Sequence, residues 1–225
     1  MRLLVRATNW VGDAIMALPA LAAVRRRFEG AHIAVLALPY VAQIYQGQGI
    51  ADELLAYDRK GRHAGIGGRE RLALTLKEKQ FDMALLLQNA FDAAWVAWRA
   101  GIPERIGYDR DGRGLLLTKA IATPRAGEIP AHEKFYYLEL LRRAGWLDAL
   151  PEVPEIALRV DAADARSAEE KLRSLGARAG ALRIAVGAGA SYGSAKCWPP
   201  DRFASALNQV QRESEADVVL FGTPS

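Results

Sequence analysis

The chain has 225 residues, 51% hydrophobic and 25% charged, an ordinary globular composition with room for one large domain or two modest ones. Its net charge of +4 is mild, and the cations are interleaved with acids. That balance makes no demand for nucleic acid and suits anionic small molecules or an anionic membrane surface. One cysteine, Cys197, excludes an intrachain disulfide and points to a reducing, cytoplasmic compartment. No run reaches the ~18 apolar residues of a membrane span.

Short apolar strands alternate with helical segments along the chain. Arg2–Ala7 reads as a strand, followed by an amphipathic helix from Ala14 to Phe28. Its apolar stretch is not a leader, because Asp13 borders it and Arg25-Arg26-Arg27 follow. Pro19 inside this pattern removes a backbone hydrogen bond, so a kink or a restart is expected. His32–Leu38, a weaker Glu53–Tyr57 and Phe81–Leu87 are the next strands, with a charged helix over Arg69–Lys79. A helix over Phe91–Ala100 stops at Gly101-Ile102-Pro103. Arg105–Tyr108 and Leu115–Ile121 are candidate edge strands, and His132–Ala144 is helical. The aromatic residues Trp95, Trp98, Tyr136, Tyr137 and Trp146 fall at helical spacings, which places them in the core. Near-continuous apolar strands between helices imply a parallel sheet covered on both faces.

The segment Leu147–Pro154, proline-containing, acidic and without periodicity, is read as a linker. Beyond it come a strand (Ile156–Val160), a helix (Ala163–Leu175), a strand (Arg183–Val186), a glycine-rich loop, a helix to about Arg212, and the strand Asp217–Phe221. The sequence therefore divides into residues 1–150 and 151–225. Two buried-type strands and one crossover are about half of a doubly wound domain, so the second domain is expected to be incomplete.

Two loops carry the chemistry. In Thr8-Asn9-Trp10-Val11-Gly12-Asp13 a strand turns into a helix, at the place where open α/β sheets bind ligands. Gly12 lets the backbone turn sharply or approach a ligand; Asp13 is either a helix N-cap or a catalytic carboxylate. The second loop runs from Gly187 to Pro199. Its small residues, the hydroxyls of Ser191 and Ser194, and Lys196 suit a phosphate or pyrophosphate. It has neither a Walker A ending nor G-x-G-x-x-G spacing, which argues against a nucleotide-dependent oxidoreductase. Two further basic loops, Arg59-Lys60 with Arg62 and His63, and Arg110 with Arg113, offer an anionic-ligand surface on the first domain. His132 is read as a cap or surface residue, and no cluster has metal-ligand spacing.

Several strings fall into one pattern. Asn9-Trp10-Val11-Gly12-Asp13-Ala14-Ile15-Met16 resembles the N-terminal motif of the ADP-heptose:lipopolysaccharide heptosyltransferases, the Trp-Val-Gly-Asp form being closest to heptosyltransferase II. The similarity continues through Leu87-Gln88-Asn89-Ala90-Phe91, Ala100–Tyr108, Tyr192–Pro199 and Val218–Gly222. The resemblance implies a GT-B glycosyltransferase with two Rossmann-like doubly wound domains, the first taking a lipopolysaccharide inner-core acceptor and the second ADP-heptose. It implies an inverting reaction without metal or other cofactor, with Asp13 as the base. It also implies a donor contact from Lys196; the chemistry of the same loop adds Ser191, Tyr192 and Ser194 to the donor site, while Asn9, Trp10 and Gly12 by position, and Arg59, Lys60, Arg62, Arg110 and Arg113 by charge alone, are expected to contact the acceptor. Cys197 stands where a basic neighbour of Lys196 is expected. The resemblance places the protein in the cytoplasm, with peripheral contact at the inner membrane and no nucleic-acid partner. The alternatives are a non-catalytic acceptor-binding fragment of such an enzyme, or an oxidoreductase on a Rossmann fold.

Overall fold

Strand β1 (Arg2–Arg6) is the pivot of the first sheet. In the computed structural model it pairs in parallel with β2 (His32–Ala37) on one side and β4 (Met83–Leu86) on the other, Leu4 lying opposite Ala34 and Ala84. With β3 (Glu53–Ala56), β5 (Glu104–Tyr108) and β6 (Lys119–Ile121) this gives an all-parallel sheet in the order β3-β2-β1-β4-β5-β6. The structure describes residues 1–152, 155–189 and 197–222.

Alternation along β1 sorts two cores. Leu3, Val5 and Ala7 join the cluster that includes residues of α1 (Val11–Met16), α2 (Leu18–Arg27), α3 (Pro39–Tyr45) and α6 (Glu133–Arg143). Leu4 joins the cluster built with α4 (Gly65–Glu78) and α5 (Phe91–Arg99). Each core strand is therefore apolar on both faces, as a sheet covered by helices requires. Strand order reverses between β1 and β4, and the loops that follow these two strands border the crevice where open sheets bind ligands.

The predicted first helix is two helices. The first ends at Ala17 and the second restarts at Leu18 with Pro19 in its opening turn, where the missing N–H has no intrahelical partner to lose. Helix α3 was not anticipated, although Leu38-Pro39 is a sound start signal, with an extended residue preceding a proline at the first helical position. Residues 156–160, expected as a strand, enter no ladder. A side-chain amide replaces a strand partner: Gln48 Nε2 donates to Arg159 O at 2.8 Å, and Arg159 N donates to Gln48 Oε1 at 2.9 Å. Among the aromatics assigned to the core, Tyr137 is buried and Trp146 packs edge-on against Phe28 at 4.9 Å, whereas Trp98 is exposed, because α5 turns its alanines and Val96 to the sheet.

The chain forms two compact units, Met1–Arg159 and Val160–Ser225. The second contains α7 (Ala162–Ser174), α8 (Pro200–Ser214) and the parallel pair β7 (Arg183–Gly187) and β8 (Asp217–Phe221). Glu169 of α7 ties this unit together, accepting from Arg183 Nη1 at 2.5 Å and from Arg173 Nε at 3.0 Å.

Candidate functional site

At the carboxyl end of β1, Thr8 and Asn9 lead into Trp10, whose extended backbone caps α1 without a side-chain hydrogen bond. Asp13 is thus the third helical residue and not the cap. Its carboxylate is half-buried, and burial raises its pKa above the ordinary value of 3.8. The position near a helix N-terminus favours the charged form, whereas loss of solvent disfavours it and makes the carboxylate a better proton acceptor than its helix position alone would. Gly12 has negative φ, and a Cβ built there would meet nothing within 4 Å. The expected sharp turn does not need glycine; what Gly12 provides is an uncovered stretch of backbone beside Asp13.

Three further groups sense Asp13. Tyr45 from α3 and Tyr137 from α6 are buried, and their hydroxyls are pushed up by burial and further by the Asp13 charge. Glu133, at the start of α6, is raised first by burial and then by Asp13, with His132 and Arg110 opposing. His132 is the cap of α6, its Nδ1 accepting from Lys134 N at 3.3 Å.

Beneath the loop lies Arg6, 3% exposed, a cation at the end of an apolar strand. Nη2 donates to Asn9 Oδ1 at 2.8 Å and Nη1 to Ala7 O at 2.5 Å, while the guanidinium lies 4.9 Å from the centre of the Tyr57 ring. Desolvation draws its pKa down to about 10. Tyr57 Oη donates to Asp92 Oδ2 at 3.1 Å, and Tyr40 Oη donates to Asn9 O at 2.8 Å. Asn9, expected to touch the acceptor, is therefore held by both its side chain and its carbonyl, which fixes the loop that presents Asp13. Trp10 next to it is 48% exposed. Sequence reasoning passed over Arg6, Tyr40, Tyr45, Tyr57, Asp92 and Glu133, and placed Tyr137 in the core without a role beside Asp13. A charged residue closing the run Leu3-Leu4-Val5 was a legible signal for Arg6, since a buried charge must be matched by partners.

The two basic loops differ. Arg59, Lys60 and Arg62 are exposed on a loop folded around Asp58, whose carboxylate accepts from Gly61 N and Arg62 N, each at 2.9 Å. Gly61 has no room for a Cβ against that carboxylate. His63 closes the loop, its Nδ1 accepting from Asp58 N at 3.1 Å. Arg110 is also exposed, 3.7 Å from Asp111 Oδ1. Arg113 is not available to any ligand. It is 0% exposed, and its guanidinium donates to Tyr108 O at 2.9 Å, Asn89 Oδ1 at 3.0 Å, Leu86 O at 3.4 Å and Gln88 O. Its assignment as an acceptor contact is corrected: Arg113 joins the loops after β4 and β5 from inside, over Gly107, where a Cβ would sit 3.0 Å from Nη2.

In the second unit, a groove of about 710 Å³ lies beside the end of β7 and the start of α8, lined by Ala188, Cys197, Trp198, Pro199, Phe203 and Leu220 among others. The donor residues Ser191, Tyr192, Ser194 and Lys196 lie outside the described residues. Among the described residues no group of three His, Cys, Asp or Glu could hold a metal, and no helix is long and apolar enough to cross a membrane.

A parallel sheet with a half-buried carboxylate at its switch point, followed by a second α/β unit, defines a Rossmann-like protein of the GT-B glycosyltransferase kind. The pattern of Glycosyltransferase family 9 (heptosyltransferase) matches residues 69–225, and the chain belongs to that family. It is 28% identical to lipopolysaccharide heptosyltransferase 2 of Salmonella typhimurium, over 99% of this chain and 64% of that protein. The structure of Escherichia coli ADP-heptose lipopolysaccharide heptosyltransferase II superposes with a TM-score of 0.80 at 27% identity, covering 99% of this chain and 65% of the other. A glycosyltransferase family 9 structure from Veillonella parvula gives a TM-score of 0.84 at 24% identity, covering 99% of this chain and 63% of that one, and shows the shared fold. The chain thus spans about 64% of the length of the curated relatives it matches.

Proposed function

We propose that this chain carries the acceptor half, and the beginning of the donor half, of an enzyme that transfers L-glycero-D-manno-heptose from ADP-heptose to the inner core of lipopolysaccharide. The observation that carries the reading is Asp13, a half-buried carboxylate with a raised pKa at the switch-point crevice of a family 9 chain. Its relatives named as lipopolysaccharide heptosyltransferases support the substrate assignment.

In the proposed reaction Asp13 accepts the proton of the acceptor hydroxyl as that oxygen attacks the anomeric carbon from the face opposite the ADP, inverting it. Arg6 and Tyr40 keep the loop fixed through Asn9, so the carboxylate is placed before substrate arrives. Trp10 and the open backbone at Gly12 border the acceptor, with Arg59, Lys60, Arg62 and Arg110 facing its anionic groups. Lys196, Ser191, Tyr192, Ser194 and loop N–H groups meet the charge of the leaving diphosphate in place of a metal. A cytoplasmic location, at the inner face of the membrane that holds the acceptor, belongs to the same proposal.

The test is heptose transfer from ADP-heptose to a heptose-deficient lipopolysaccharide core, measured with this chain and with a chain of the full length of its relatives. Transfer by the longer chain, lost on Asp13→Asn, supports the reading. Binding of acceptor by the short chain without transfer would assign it as a non-catalytic acceptor-binding fragment.

A further inference from the structure

Arg6 is a buried cation that enters no ion pair with a described residue. Its acceptors, Ala7 O, Asn9 Oδ1 and, at 3.5 Å, Leu36 O, are all neutral. A charge taken out of water must be compensated, and neutral acceptors supply only part of what is needed. The rest comes from a second line of contacts. Tyr57, the residue after β3, is 2% exposed and is fixed by its own N–H donating to Ala37 O at 2.7 Å. Its ring centre lies 4.9 Å from the Arg6 guanidinium, within the range of a cation–π contact. Its hydroxyl donates at 3.1 Å to Asp92 Oδ2, and a phenol that donates to a carboxylate carries more negative charge on its ring.

Asp92 is well placed to stay ionised. It stands in the first turn of α5, where the helix terminus favours a negative charge, and Arg69 lies 3.7 Å away. Burial draws Arg6 down to about 10, and the first influence opposing that is the charge of Asp92. Helix α5 packs on the face of the sheet opposite α1, the helix that bears Asp13. The line Asp92–Tyr57–Arg6–Asn9 therefore crosses the carboxyl edge of the sheet, from a helix on one face to the loop that opens the helix on the other.

We propose that Asp92 and Tyr57 are positioning residues for the transfer: Asp92 holds the Tyr57 ring against Arg6, and Arg6 in turn holds Asn9 and the loop that presents Asp13. The assignment rests on Asp13 being the base. Its test uses Tyr57→Phe and Asp92→Asn, each keeping the shape of the side chain it replaces, and the double variant. In this chain, amide exchange at Ala14, whose N–H donates to Trp10 O at 2.9 Å, quickens roughly tenfold in either variant, more than in β1 or β4. In a chain of the full length of its relatives, kcat falls roughly tenfold to a hundredfold, while KM for ADP-heptose stays within about twofold. The double variant is no worse than the poorer single one, because both break one line. Glu70→Gln, which breaks the 2.6 Å pair with Arg99 between α4 and α5, changes neither Ala14 exchange nor kcat. Parent-like exchange or parent-like kcat in the single variants overturns the proposal. So do losses that multiply in the double variant, or equal losses in Glu70→Gln, which would mean a general loosening of α5. Failure of the base assignment is read separately, as transfer retained by Asp13→Asn.

Discussion

Replacing Arg113 with methionine separates a structural arginine from a ligand-binding one. The guanidinium is wholly enclosed, and its desolvation, which takes the pKa from 12.5 to about 10, costs about 3 kcal/mol that the variant recovers. Against this stand well-placed hydrogen bonds from a charged donor to Tyr108 O, Gln88 O and Asn89 Oδ1, ~1.5–3 kcal/mol each. The acceptors left behind are dry, and each unsatisfied one costs ~1–3 kcal/mol. Leu86 O, at 3.4 Å, adds little. The unsatisfied acceptors are another measure of the same loss and do not add to it, so the balance is a loss of roughly 1.5–6 kcal/mol, a large part of the stability of a domain this size. Urea denaturation followed by circular dichroism reads it as a lower midpoint with an unchanged slope. A loss below about 1 kcal/mol would refute the reasoning. Full stability combined with weakened acceptor binding would restore Arg113 to the ligand surface.

Other predictions follow from single contacts. Gly107→Ala pushes a methyl against Arg113 Nη2 and Leu86 and should lower the midpoint in the same assay, and the effect should shrink when Arg113 is already methionine. Gly12→Ala should leave stability equal or raise it by up to ~1 kcal/mol, since nothing occupies the space and alanine favours the helix, while weakening acceptor binding measured by calorimetry. His63 is held below its usual 6.5, first by burial and then by Arg62, against the opposing charge of Asp58. Its protonation is disfavoured in the fold, so the basic loop should lose amide-exchange protection as the pH falls below about 6.5. Glu169 is held down to about 2 by Arg183 and Arg173. Its stabilising effect is complete above 4.5 and lost as the pH falls towards about 2, so Glu169→Gln should flatten the acid unfolding of the second unit in that window.

The sheet was legible because its strands are apolar on both faces and bounded by turn residues; Phe81–Leu87 and His32–Leu38 contain the observed β4 and β2 within one or two residues at each end. The restart at Pro19 was legible from the proline alone. Residues 156–160 looked like a strand because their alternation matched one, but pattern does not reveal a partner, and the partner turned out to be the Gln48 amide. Asp13 could be singled out from its loop and its resemblance, whereas its raised pKa could not, because desolvation depends on neighbours far along the chain. Arg113 shows the limit from the other side. Its sequence setting, Asp111-Gly112-Arg113, reads as a solvated turn, and only the fold reveals that the carbonyls after β4 close over it.

The central claim is that Asp13 is the base of a heptosyl transfer. Its most direct test is single-turnover transfer from ADP-heptose by a chain of the full length of its relatives carrying Asp13→Asn, with donor and acceptor affinities and melting temperature measured alongside. The account predicts transfer slowed by roughly a hundredfold to ten-thousandfold, with both affinities kept and melting unchanged or slightly higher, since burial already disfavours the carboxylate charge. Transfer within a few-fold of the parent rate would contradict it.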